Sequence, residues 1–391
     1  MWRSFLLQGT LLFSITLTGV FAEEGKYQKS ATCKPCHLQI YDQWQNSRHA
    51  KSTPAENILF AKIYKKSQRD TRGETKLYCI KCHAPVSTIN GDTDLEEEVT
   101  NEGVGCDICH TAAELSVEPD RWPIIYQPGK TKFGPYEDSE AKIHQTAYSK
   151  QLRTSEFCGS CHGPMIDIEG TRSCGDLTIC DTYGEWKGSS QAEKGIGCQD
   201  CHMGTKKGQA AKNGPVREQV HGHGFEGAYS QEQLKKAAEL AMEVKEFGGH
   251  IIATINITNS GSGHRLPTGP PPRMVILKVS AFDENGHILW TNWEENPGQE
   301  DPYGVFHIVF ADSAGKAPAF PWVAARIFKD TRLEPDETRQ LIYKFPAQGV
   351  TRVEAKLFYR LAPLALLDKF EIPDPYLRTP FLMAKLTKDI E

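Results

Sequence analysis

Apolar and polar residues alternate most regularly in the last third of the chain. Ile251, Ala253, Ile255 and Ile257 take every second position, and Val275, Leu277, Val279 and Ala281 repeat the pattern. This is the signature of strands with one buried face. Asp283-Glu284-Asn285-Gly286 then offers a hairpin turn into a strand at residues 288–293. Leu341, Tyr343 and Phe345, followed by Val353, Ala355, Leu357 and Tyr359, give two more strands. The spacing predicts an antiparallel β-sandwich over residues 230–391, with 294–337 as an insertion and a tail from residue 373 packing back on the body. Ser230 and Gln233 form a capping-box pair that opens this region with a short helix at 232–240.

Upstream, residues 23–229 carry little sustained periodicity. After His37, Ile40, Tyr41 and Trp44 recur at helical spacing, which predicts a helix running toward Ser47-Arg48-His49. The rest should be helical and irregular with little sheet. Residues 1–22 have a different character: Arg3, then an apolar run at 5–17, then Val20-Phe21-Ala22. They read as a signal peptide cleaved before Glu23. The run is about 13 residues, against the roughly 20 that a spanning helix needs. A retained anchor is the alternative, and no Cys stands at the processing point to accept a lipid. The expected organisation is a signal at 1–22, a cofactor-bearing domain at 23–229 and a β-sandwich domain at 230–391. The destination is periplasmic or extracellular, with no stable membrane span after cleavage.

Composition changes this picture in two ways. Only 39% of residues are hydrophobic, with 33 Gly and 23 Pro, so something other than side chains is expected to fill part of the core. The formal charge is −5, and loss of Arg3 with the signal makes it −6. Nucleic acid is therefore not an expected partner.

Twelve cysteines in an exported chain would ordinarily mean disulfides. Ten of them fall instead into five Cys-x-x-Cys-His runs: Cys33/Cys36/His37, Cys79/Cys82/His83, Cys106/Cys109/His110, Cys158/Cys161/His162 and Cys198/Cys201/His202. This is the attachment motif of haem c. Two thiols three residues apart can form thioethers to the two vinyl groups on one porphyrin edge, and the next imidazole reaches the iron. Random placement of these residues would yield one such motif in roughly one chain in a hundred, so five mean five covalent haem c groups. Thioredoxin-like dithiols and zinc sites also use Cys-x-x-Cys, but neither explains a His after every pair. Cys174 and Cys180 lie outside the motifs and read as a local disulfide, with two buried thiols as the alternative.

Whether an iron carries electrons or does chemistry depends on its second axial position. Of 13 histidines, eight remain once the proximal His37, His83, His110, His162 and His202 are set aside. A continuous helix puts His49 about 18 Å from His37, so it must serve a different haem. His144 precedes the fourth motif in a polar helical stretch, and His221 and His223 follow the last motif through a loose Lys/Gly-rich segment. His264 sits in Gly263-His264-Arg265-Leu266-Pro267-Thr268-Gly269, a stiff turn suited to presenting one imidazole. These five are the candidate distal ligands. His250, His287 and His307 read as ordinary, and Met165 and Met203 as packing against porphyrin.

The run Cys33-x-x-Cys36-His37-x-x-x-Tyr41-x-x-Trp44-x-x-Ser47-x-His49-Ala50 resembles the cytochrome c-554 family of multihaem c-type cytochromes. The Gly263-His264-x-x-Pro267-Thr268-Gly269 turn looks like that of related proteins with a C-terminal β-domain. The resemblance implies closely spaced haems in parallel and perpendicular pairs, electron transfer as the main activity, and distal ligation by His49, His144 and His264. It covers the region of the motifs well and the β-domain loosely, and five motifs depart from the four haems of the family's namesake.

The fold class expected is therefore α+β: a mainly helical, loop-rich domain organised around porphyrins, then an antiparallel sandwich. Three functional readings stand. The chain transfers electrons through mainly bis-His haems between redox partner proteins; or it is an oxidoreductase acting on a small nitrogen or sulfur compound at one open haem; or it is a subunit of a homo-oligomer or extracellular polymer.

Overall fold

The computed structural model describes residues 25–116, 123–164 and 177–390. The expected leader at 1–22, Met165, and the Cys174 half of the Cys174/Cys180 pair lie outside these residues.

Helices α1 (Leu38–Asn46), α2 (Ile58–Asp70), α3 (Lys76–His83), α4 (Cys106–His110), α5 (Ser155–His162) and α6 (Cys198–His202) punctuate the first part of the chain. Four of them end on the histidine of an attachment motif. The reason is geometric: one helical turn brings positions three apart to the same side, so both sulfurs of a motif face one way. The first motif differs, with His37 standing as the residue that precedes α1. Trp44 on α1 is buried, and its indole N–H donates to the Val104 carbonyl at 2.8 Å. Asn57 caps α2 by accepting from the Phe60 N–H at 3.1 Å.

Between these helices run short strands: β1 (Ala112–Leu115) against β2 (Ile124–Tyr126), β3 (Thr131–Gly134) parallel to β4 (Gln145–Tyr148), and β5 (Thr205–Gln209) against β6 (Val216–His221). Two expectations are corrected here. His144 stands just before β4 and not in a helix, and the Lys/Gly-rich segment after the last motif is not simply loose: its first residues, 206–209, belong to the paired strand β5. Strands this short carry too few alternations to show a period.

Helix α7 (Gln231–Ala237) begins where Ser230 accepts from the Gln233 N–H, and ends three residues before the expected limit. Ten strands follow: β7 (Glu239–Phe247), β8 (His250–Thr258), β9 (Met274–Phe282), β10 (Ile288–Thr291), β11 (Val305–Phe306), β12 (Ile308–Ala311), β13 (Arg326–Asp330), β14 (Thr338–Pro346), β15 (Arg352–Arg360) and β16 (Phe381–Asp389). One antiparallel sheet has the order β14-β8-β7, a second has β10-β9-β15-β16 with β11 also on β9, and β12 pairs with β13. Gly248 and Gly249 turn β7 into β8, both with positive φ (58° and 73°), the combination that a two-residue hairpin requires and that glycine adopts freely.

The alternating residues form the core: Ile251, Ala253, Ile255 and Ile257 of β8, Val275, Leu277, Val279 and Ala281 of β9, and Val353, Ala355 and Leu357 of β15 are all fully buried in one cluster. Trp290 of the larger sheet stacks on Phe345 of the smaller at 4.3 Å, so the sheets share this core. The tail is β16, at the edge of the larger sheet. No helix among the described residues is long and apolar enough to cross a membrane.

Candidate haem cavity

All five attachment motifs open onto one cavity of about 3290 Å³. A pocket for a single ligand rarely exceeds about 1,000 Å³, so the fold of residues 25–229, with the His264 loop closing part of the wall, is built around a space for several groups. Cysteines of different motifs approach one another: Cys33 reaches Cys106, Cys82 reaches Cys161, and Cys158 reaches Cys198. The first motif is thus beside the third, the second beside the fourth, and the fourth beside the fifth.

Across this cavity histidine rings face one another in pairs. His37 and His144 have ring centres 6.4 Å apart, His49 and His162 6.2 Å, His110 and His223 6.3 Å, and His202 and His264 6.3 Å. Two imidazoles on opposite sides of one ion, with metal–nitrogen bonds of about 2.0 Å and about 1.1 Å from nitrogen to ring centre, have centres about 6.2 Å apart. The observed spacings leave room for one iron between each pair. Among the described residues no three His, Cys, Asp or Glu side chains converge as a metal cage. Side chains alone therefore do not complete a four-ligand site of the zinc type, whereas an iron held in a porphyrin plane needs only the two axial rings. The residues fit haem.

The rings are oriented by the backbone. His37 Nδ1 donates to the Ala210 carbonyl at 2.8 Å, His83 to Ser52 at 2.9 Å, His110 to Phe133 at 2.7 Å, and His202 to Glu226. On the opposite side, His144, His223 and His264 donate to Gln145, His221 and Arg265. A donor at Nδ1 fixes the tautomer and leaves the Nε2 lone pair to the metal. Burial also holds rings in the neutral, ligating form: it pushes His49 down to about 3 and His162, His223 and His264 to about 4, with charge on neighbouring histidines adding to the effect.

His83 stands apart. No histidine faces it among the described residues; instead the Phe60 ring lies against it with centres 3.8 Å apart and planes 8° from parallel. At that distance two nearly parallel rings are face to face, so Phe60 packs on the flat of the imidazole and not on its metal-binding edge. Ser52 holds the ring from the other direction, its hydroxyl donating to the His83 carbonyl at 2.6 Å and its own carbonyl accepting from Nδ1. His221, in the expected ligand set, faces none of the five proximal rings; its Nδ1 meets the Met203 carbonyl at 3.1 Å. His250, His287 and His307 lie on or beside the β-sheets.

The loop carrying His264 is anchored by residues that carry no motif. Asn259, fully buried at the end of β8, donates to the carbonyls of His264, Leu333 and Glu334 at 2.9–3.2 Å. Leu266 and Leu333 exchange two backbone hydrogen bonds of 2.9 Å. Glu185 accepts from Thr268 at 2.5 Å and from Arg332 at 2.7 Å, which ties the loop to the segment before the fifth motif. Burial raises the Glu185 carboxyl above its usual range, opposed by the Thr268 hydroxyl and Arg332. A buried Asn just past a strand is the one sequence signal that could have pointed to this anchor.

Residues 32–111, which hold the first three motifs, match the family described as cytochrome c554 and c-prime. No curated protein matches the chain. Among solved structures, the penta-heme cytochrome c552 from Thermochromatium tepidum is similar over 93% of this chain and 99% of its own, at 28% identity and a TM-score of 0.77. A DUF1425 family member from Shewanella sp. pv-4 (14% identity, 32% of this chain and 79% of that one, TM-score 0.17) and a beta-glucosidase from Kluyveromyces marxianus (10% identity, 40% and 14%, TM-score 0.16) are too remote in shape to carry an argument. A relative of matching length that is itself a multihaem cytochrome, and a family match where three attachment motifs stand, make this chain a multihaem c-type cytochrome.

Proposed function

We propose that the chain binds five haem c groups, one per motif, and passes electrons between redox partner proteins in an exported compartment. Each bound haem supplies a one-electron Fe(III)/Fe(II) couple. His144, His162, His223 and His264 would pair with His37, His49, His110 and His202 to close four irons from both sides, and the 6.2–6.4 Å ring spacings are the observation that carries this reading. Closed bis-His sites leave no position for a substrate and suit electron transfer. The contacts between Cys33 and Cys106, Cys82 and Cys161, and Cys158 and Cys198 support close packing of neighbouring haems. Cys109 also lies near Cys158 and Cys161, which supports a link from the third site to the fourth. The path would then run first, third, fourth, fifth, with the second as a branch from the fourth. In this reading residues 230–391 form a β-sandwich that supplies one ligand, and residues 1–22 direct export.

One observation favours a second activity. His83 has no facing histidine among the described residues, so the second haem would keep an open position at which a small nitrogen or sulfur compound could bind. A pyridine haemochrome assay and the electron paramagnetic resonance spectrum of the oxidised protein test both readings on one sample. Five haems with four low-spin irons and one high-spin iron are expected. Fewer than five haems would defeat the reading, and five low-spin irons would remove the open site and leave the carrier alone. A high-spin signal altered by nitrite, hydroxylamine or sulfite would add the enzyme.

A further inference from the structure

A charge fixed inside the cavity acts on an iron held there more strongly than it would in water. Some cations that line the cavity are already engaged by protein acids: Lys132 is 2.7 Å from Asp107, and Arg217 is 2.8 Å from Asp138. Arg273 is held differently. It lies at the end of the loop that carries His264, immediately before β9, and lines the cavity. Its Nη1 donates to the Thr268 carbonyl at 3.0 Å, and its guanidinium also bonds the buried Tyr359 hydroxyl. Both acceptors are neutral, so they orient the side chain without cancelling its charge. A Cβ at Gly269 would meet this Nη1 at 2.6 Å, so the absence of a side chain there lets the guanidinium lie along the loop.

The charge of Arg273 is felt at both His162 and His264, one ring from each of two facing pairs. These pairs belong to the fourth and fifth motifs, whose Cys158 and Cys198 are in contact. Arg273 thus sits at the junction of two adjacent sites, on a loop that also delivers a ligand to one of them.

We propose that Arg273 is a fixed cation beside the fourth and fifth irons and raises the reduction potential of both. A fixed positive charge favours the reduced iron, which carries one positive charge fewer than the oxidised one. The proposal rests on the haem assignment above.

The test compares wild type, R273Q and R273K as haem-loaded protein, by haemochrome assay, paramagnetic resonance and spectroelectrochemical titration. R273Q is expected to keep five haems and an unchanged low-spin spectrum while two of its five one-electron components shift to lower potential and three overlay wild type. R273K, which keeps the charge, is expected to return those two toward wild-type values. An R273Q titration that overlays wild type in a protein with five haems overturns the role of Arg273 while leaving the haem assignment intact. Fewer than five haems in wild type itself overturns the assignment on which the proposal stands. Should R273Q not load haem, R273K loading five at wild-type potentials shows that a cation is needed here. Failure of R273K as well means that the residue acts by packing, and the proposal falls.

Discussion

Single side chains decide what each iron can do. His49 follows the helix that starts at the first motif, yet its ring faces His162 of the fourth. His49→Ala should therefore leave all thioethers in place and convert the iron at His162 to high spin, while the iron at His37 stays low-spin. An unchanged low-spin spectrum would count against the pairing. Glu102 shows how burial shapes a titrating group beside the first and third motifs. It accepts from the Ser30 N–H and hydroxyl at 3.0 and 2.8 Å, but burial raises its pKa to about 7, helped by the charge of Asp107 and opposed by Ser30 and Lys29. The folded state then binds a proton that the unfolded state releases near pH 4.5, so stability from this group is present at low pH and is lost as pH rises toward 7. The loss is on the order of 3 kcal/mol. Glu102→Gln should flatten the fall in melting temperature between pH 5 and pH 8; an equal slope in both proteins would refute the assignment.

At the level of elements, the loop between β8 and β9 owes its shape to contacts that sequence spacing does not reveal. Asn259 satisfies three carbonyls from inside the core, and leaving a buried acceptor unpaired costs about 1–3 kcal/mol. Asn259→Ala should lower stability by that amount and release a high-spin fraction at the iron facing His264, with the signals of the other pairs unmoved. The strands around this loop were legible because Ile251 to Ile257 and Val275 to Ala281 alternate over a two-sided structure with one buried face. The short strands at residues 112–221 were not, since three to six residues hold at most three inward positions. The same limit placed His144 in a helix when it precedes a strand. The attachment motifs were legible for the opposite reason: their chemistry needs residues adjacent in the chain. Which distal ring meets which proximal ring is a property of loop closure, and neither the contact of Phe60 with His83 nor the Arg332–Glu185 pair left a local pattern.

For the molecule as a whole, two kinds of interior meet. Residues 230–391 bury a continuous set of aliphatic side chains between sheets, while residues 25–229 form most of the wall of a cavity of about 3290 Å³ and contribute few large buried side chains of their own. The first can collapse by hydrophobic burial alone; the second depends on porphyrin to provide apolar surface. Chain produced without haem attachment should therefore be cut rapidly by protease within residues 25–229 while the sheet region survives as a resistant fragment. Uniform digestion of both regions, or resistance of both, would show that the two are not separable in this way.

The place of His264 carries a consequence for how the protein matures. Every attachment motif precedes residue 264 in the chain, and the residues that brace its loop, Leu333 and Glu334, come later still. On the proposed haem assignment, the ring that faces His202 is therefore delivered only once the sheets have formed. A chain cut short before residue 333 should then carry a second high-spin iron, at His202, in addition to the one at His83.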